Sequence, residues 1–288
     1  MALAYQRTGD LQKAVQQIIT NLGATTGAAA IGSAGGTIQG DLSAAQYSNS
    51  IINGAFQINQ RAVSGTVTLA AGAYGHDRWK AGAGGCTYTF STTANVTIIT
   101  ISAGTLQQVI EGSNLLSGTY TLNWTGTATA RIDSGSYGSA PQTGTATGGT
   151  NQTVEFSTGT VSRVQYLPGS STAVVPLRQI GQELALCQRY FMQYGIGDTF
   201  PAFAFATTNV VASVQFPVPM RIAPTLAFSN TGGIAVCGST ATATSTMANP
   251  AFTQYGGHFD NATSGQTVGQ GGQFRLGTGS ILTFTAEL

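Results

Sequence analysis

The pattern of apolar and polar positions changes character several times along the chain. Leu11, Ala14, Val15, Ile18, Ile19 and Leu22 recur at steps of three and four, one stripe opposite Gln12, Lys13, Gln16, Gln17, Thr20 and Asn21. Asp10 is placed to cap that helix and Gly23 to end it. So short a helix is marginal alone. Leu11, Val15, Ile18, Ile19 and Leu22 are therefore an expected anchoring or oligomerisation face, for the rest of the chain, a copy of it, or a partner. Residues 23–50 hold no period and are rich in Gly, Ala and Ser, which reads as a linker or extended arm.

From Ile51 the pattern turns to strands. "GTVTLAAG", "CTYTFST", "NVTIITIS", "GTYTLNWTG", "TATARID", "QTVEFST" and "SRVQYLPG" are short β-branched and aromatic runs punctuated by Gly, Ser, Asn or Pro. Tyr120, Leu122 and Trp124 alternate with Thr119, Thr121 and Asn123, an apolar face against a polar one. Strands so short and so closely spaced read as an antiparallel sandwich.

A second helix is expected in "PLRQIGQELALCQRYF", where Leu177, Ile180, Leu184, Cys187 and Phe191 keep helical spacing behind Pro176. Strands resume at "FPAFAFAT", "NVVASVQFPV" and "TLAFSN". They end in an expected hairpin, "QFRLGTGSILTFTAEL", with Leu282, Phe284, Ala286 and Leu288 on one face. Pro217, Pro219 and Pro224 are placed to protect sheet edges. The expected fold is all-β in four parts. These are a helix and extended arm (1–50), a jelly-roll-like antiparallel β-sandwich (51–175), a short linking helix (176–194) and a second, C-terminal β-sandwich domain (195–288).

Composition sharpens this picture. Only 7% of the residues are Asp, Glu, Lys or Arg, against about 25% in ordinary globular proteins. With 42% hydrophobic residues and a mean hydropathy of +0.10, the chain should fold rather than stay disordered. Its surface is Gly, Thr, Ser, Gln and Asn, which repels copies of itself weakly and suits an assembled structural protein. The net charge of +1 argues against nucleic acid as a partner. No run of apolar residues is long enough to span a membrane, and "MALAYQRTGDLQKAV" carries charges where a signal peptide would be apolar. Cys86, Cys187 and Cys237 are widely separated and form no C-x-x-C, so they read as reduced, buried thiols made in a cytoplasm. The sequons at Asn95, Asn123, Asn151 and Asn261 read as chance in a Thr- and Asn-rich chain.

Candidate chemistry is sparse. The ten acids lie no closer than 15 positions apart. A glycosidase's converging pair would have to be drawn from residues such as Asp77, Glu111, Asp133 and Glu155. No G-x-S-x-G occurs. "GAGG" (82–85) and "GQGG" (269–272) complete no nucleotide-binding loop and read as turns. Two histidines, His76 and His258, and three scattered cysteines leave no metal constellation. No catalytic residue, cofactor or metal is expected. The densest cluster is "AYGHDRWKAG" (73–82). There Asp77 and Arg78 read as satisfied polar groups anchoring a strand, with Trp79 packed on the core. Tyr74, Trp79 and Tyr137 are the candidates for aromatic stacking on a sugar; Trp124 reads as core.

Three stretches together resemble the appendage proteins of tailed-bacteriophage virions, tail fibres and head fibres. They are "GGTIQGDLS" (35–43), "IINGAFQINQRA…AYGHDRW" (51–79) and "ELALCQRYF" (183–191), followed by a phrase like "FPVPMRIAPT". The resemblance implies a jelly-roll, carbohydrate-binding-like domain, with Asn53, Phe56, Gln60, Arg61, Asp77, Arg78 and Trp79 as signature residues of how it begins. It further implies a non-enzymatic virion component assembled in the bacterial host cytoplasm. That component would be a homotrimeric tail fibre acting in host attachment, held to other virion proteins through its N-terminal segment, with a host surface glycan as a further partner. The alternatives are a capsid decoration protein or head fibre, and an enzyme degrading surface polysaccharide.

Overall fold

The computed structural model describes residues 49–170, 172, 175–229, 233–237, 240–244 and 247–288, with the side chains of 230–246 outside that description. The expected helix carrying Leu11, Val15, Ile18, Ile19 and Leu22, and the arm up to residue 48, lie outside the described residues. What is described is all-β: antiparallel sheets in a sandwich-like arrangement, and one short α-helix.

The first unit is an eight-stranded sheet of β1 (Val67–Leu69), β2 (Lys80–Thr93), β3 (Val96–Ile110), β4 (Gly118–Thr125), β5 (Ala130–Ile132), β6 (Gln142–Ala146), β7 (Gln152–Phe156) and β8 (Gly159–Pro168). Its order is β1-β2-β3-β8-β4-β6, with β7 joining β3 to β5. The long β3 holds the unit together, pairing with β8 over Ile99–Ile101 and with β7 over Leu106–Ile110. Alternation works as the pattern implies: Tyr120, Leu122 and Trp124 are all buried, and the Trp124 Nε1–H donates to the Ala128 carbonyl at 3.0 Å. Tyr120 stacks on Tyr166 at 4.9 Å.

"GAGG" (82–85) is not a turn. It lies inside β2, where the register jumps from Ala81 opposite Leu106 to Cys86 opposite Gly104. The extra residues form an irregular bulge that re-aims the strand. The two backbones approach so closely there that a Cβ on Gly104, whose φ is +69°, would sit 2.1 Å from the Gly85 carbonyl oxygen.

The second unit has a seven-stranded sheet of order β14-β13-β17-β10-β11-β16-β15. Its strands are β10 (Thr199–Ala206), β11 (Asn209–Gln215), β13 (Gly233–Cys237), β14 (Thr240–Thr244), β15 (Met247–Phe252), β16 (Gly256–Ala262) and β17 (Gly271–Arg275). A three-stranded sheet, β12 (Thr225–Ser229), β18 (Ile281–Thr285) and β9 (Phe191–Tyr194), supplies Leu282 and Phe284 to the same core. Edge-on aromatic pairs, Phe259 on Phe274 at 5.3 Å and Phe252 on Phe284 at 5.1 Å, fill the space between. The expected closing hairpin is not formed: β17 pairs with β10 and β13, β18 with β12 and β9. Leu276 and Ser280, both buried, carry the chain from one sheet to the other. Pro217, Pro219 and Pro224 lie in the β11–β12 connection rather than in strands.

The linking helix is shorter than its apolar spacing predicts. The helix α1 runs Ile180–Gln188, and Pro176–Gln179 stay outside it. Arg178 is drawn away to the Ile51 carbonyl at 3.0 Å and to Glu183, while Leu177 and Ile180 remain exposed. Phe191–Tyr194, expected to continue the linking segment, form β9 against β18. Between the units sits a small third core of Ile52, Ile58, Cys187 and Tyr190, with Leu184, Leu186 and Leu288 packed on it.

Candidate functional site

The cluster in "AYGHDRWKAG" lies at the junction of the two units. Asn53 is its hub and adopts a left-handed backbone, φ 57°, which Asn tolerates better than most residues. Its Nδ2 donates to the Ile58 and Asp77 carbonyls at 2.8 and 3.0 Å, and its Oδ1 accepts from the Ile58 amide at 2.9 Å. Its own carbonyl accepts the Trp79 Nε1–H at 2.9 Å, and its amide donates to Glu183 on α1. Asp77 accepts from the Gln60 amide at 2.9 Å and from the Gln60 side chain, with Arg61 3.7 Å away.

The second unit closes this cluster through its last residues. Glu287 pairs with Arg61 at 3.1 Å and with Arg78, which also donates to the Val109 carbonyl at 2.7 Å. Both guanidinium groups lie 3.6 Å from aromatic ring centroids, Arg61 over Phe191 and Arg78 over Tyr190. Lys80 Nζ and the Tyr74 hydroxyl donate to a Leu288 backbone oxygen at 2.8 and 2.6 Å. Arg221 donates to the Ala286 and Glu287 carbonyls, each at 2.7 Å. Four of the chain's 11 basic side chains thus converge on residues 286–288.

Electrostatics follow from this burial. Desolvation lowers the His76 imidazole to about 4 and raises the Tyr88 hydroxyl beside it to about 12. The Asp77 carboxyl is raised by burial, which outweighs its hydrogen bonds from Gln60 and the Arg61 charge. Burial, with Glu287 nearby, takes Tyr74 to about 12. Lys80 is lowered by burial and by the Arg78 charge. Burial works against ionising Glu111, yet the Tyr190 hydroxyl at 2.7 Å and Arg189 at 3.3 Å hold it below the usual carboxylate range. At pH 7, His76 is an uncharged side chain against Phe56, Tyr88 and Phe90. With His76, Asp77, Arg78 and Trp79 each 2% exposed or less, a substrate has no access to the cluster.

The other described acids are committed in the same way. Glu155 holds Arg131 and the Thr105 hydroxyl, and Glu183 holds Arg178. Asp133 accepts from the Thr153 amide at 2.8 Å and the Gln152 side chain at 3.1 Å; Asp198 accepts from the Gly195 amide at 2.8 Å. Asp260 accepts from Asn209 at 3.3 Å and Asn249 at 2.9 Å. Asp133 also lines a polar cleft of about 340 Å³ with Ser136, Gln142, Thr143 and Thr145.

Of the three candidates for stacking on a sugar, Trp79 is excluded and its reading as a core residue holds: it is wholly buried and packs on Phe56 at 4.7 Å. Tyr74 is tied to Leu288 at the junction. Tyr137 alone offers a ring, 39% exposed, with Arg131 at 4.8 Å. Asn53, Phe56, Gln60, Arg61, Asp77, Arg78 and Trp79 do come together, within one buried neighbourhood. Sequence reasoning missed Glu287, Arg221, Glu183 and Tyr190. The signal for Glu287 is scarcity: in a chain with so few charges, an isolated one must find its partner far away in sequence.

Among known proteins, no family model matches this chain and no curated protein does. A solved structure with a distant similarity is wild-type discoidin II from Dictyostelium discoideum, 8% identical over 83% of this chain and 92% of that chain, with a TM-score of 0.21.

Proposed function

We propose that this chain is a non-enzymatic structural component of a tailed-phage virion: a homotrimeric tail fibre or similar appendage that contributes to host attachment. Residues 1–50 would seat it on other virion proteins. The observation that carries the reading is the fate of the charges. All eight described acids are held by structural partners, and the densest polar cluster fastens two β units together instead of opening to a substrate. The resemblance of "IINGAFQINQRA…AYGHDRW" and "ELALCQRYF" to phage appendage proteins, and a surface of Gly, Thr and Ser, support the same reading.

The test is composition and position. Mass spectrometry and immunogold imaging of purified particles should find the protein on the particle exterior, and deletion of residues 1–34 should abolish its incorporation. Labelling at the tail supports the fibre reading, and labelling at the shell supports a decoration protein or head fibre. Absence from particles, or release of reducing ends from host polysaccharide by the purified protein, would overturn the proposal.

A further inference from the structure

The outward face of the seven-stranded sheet carries a feature the junction does not explain. Along β10 the burial alternates strictly, with Phe200, Ala202 and Ala204 turned inward and Pro201, Phe203 and Phe205 outward. Phe203 is 43% exposed and Phe205 64%, and the two rings stand edge to face at 6.4 Å. Phe205 is the extra residue of a bulge, since the register passes from Ala204 opposite Val210 to Ala206 opposite Asn209. Bulges re-aim side chains and are enriched beside functional sites.

Across the sheet, Phe203 faces Val211, which faces Asp260, while Ser213 faces His258. Together with Phe205, these five side chains line one open cleft of about 400 Å³, within the range of small-ligand sites. Asp260 is preorganised: the Asn209 and Asn249 side-chain amides both donate to its Oδ2.

We propose that this cleft binds a saccharide, with the C–H face of a pyranose ring on Phe205 and its hydroxyls on Asp260, Ser213 and His258. The chemistry matches on both sides: an aromatic face beside a fixed carboxylate suits a neutral ligand rich in hydroxyl donors. A second copy of the chain fits less well. The two exposed rings offer roughly 200 Å², a fraction of the about 800 Å² per partner in a stable interface. Such a contact would also bury Asp260, which is costly without a paired cation.

The inference rests on the attachment role proposed above, and its failure would leave the particle imaging untouched. Saturation-transfer NMR of the full chain with the methyl α-glycosides of glucose, galactose, mannose and rhamnose tests it. Transfer to at least one glycoside is expected, weakened at least tenfold by Phe205→Ala and about fivefold by Asp260→Asn, and unchanged by Leu116→Ala, an exposed position in the first unit. The side chains changed at 205 and 260 lie outside the cores, so both variants should fold. The proposal is overturned if no glycoside shows transfer or if Phe205→Ala leaves binding intact. It is equally overturned if that variant instead abolishes self-association measured by light scattering.

Discussion

His76 holds its Nδ1 3.0 Å from the Tyr88 hydroxyl oxygen, with the Phe90 ring edge-on at 4.5 Å. A histidine so placed is a pH-dependent weakness in the fold. Its folded value near 4 lies below the exposed value of 6.5. Above pH 6.5 neither state binds the proton and stability is full. As pH falls through 6.5 the unfolded chain is protonated first, and stability is lost until about pH 4. The span corresponds to roughly 3 kcal/mol. Asp77, raised by burial, acts in the opposite sense, so the comparison must be with a His76→Phe variant. Urea unfolding from pH 7 to 4 should show wild type losing roughly 3 kcal/mol relative to that variant. Parallel curves would contradict the burial of a neutral imidazole.

The β2–β3 crossing makes Gly104 intolerant of any side chain. A Gly104→Ala methyl meets the Gly85 carbonyl and sits on a left-handed backbone. Both penalties act together, and the variant should lose at least about 2 kcal/mol in equilibrium unfolding. Gly84→Ala, next to Gly85 but with open space around its Cβ position, should lose much less. Equal effects at the two positions would mean that the strands do not approach as described.

Much of this fold was legible because strand alternation is local. Tyr120, Leu122 and Trp124, or Leu282, Phe284 and Ala286, announce their inward faces in five residues. The failures occur where pairing is decided at a distance. β6, "QTGTA", and β14, "TATAT", have too little apolar content to announce themselves, and β15, "MANPAF", and β16, "GGHFDNA", carry Pro or paired Gly that read as turns. β17 and β18 look like a hairpin locally, yet they belong to different sheets. The junction was half legible: the resemblance to phage appendage proteins grouped Asn53, Gln60, Arg61, Asp77 and Arg78, whereas Glu287, over 200 positions away, could not be assigned to them by any local pattern.

The thiols give a chemical check on packing. Cys86 and Cys187 are buried, and desolvation raises the first to about 11 and the second well above its ordinary value. Neither should react with iodoacetamide at pH 8 in the native protein, and both should react in denaturant, with each site followed by peptide mass spectrometry. Native labelling of Cys187 would show that α1 does not seal the third core.

The cluster around Asp77 and Arg78 is a clasp joining two β units, and Glu287 is its key. The Arg61, Arg78 and Glu287 side chains are 14%, 1% and 5% exposed. Glu287→Gln keeps the shape but leaves the buried Arg78 without a carboxylate and Arg61 with Asp77 alone at 3.7 Å, at a cost of about 3–5 kcal/mol. Differential scanning calorimetry is the direct test. Wild type should melt in one cooperative transition, and Glu287→Gln should melt earlier, with the two units separating into distinct transitions. A single transition at unchanged temperature in the variant would contradict the clasp.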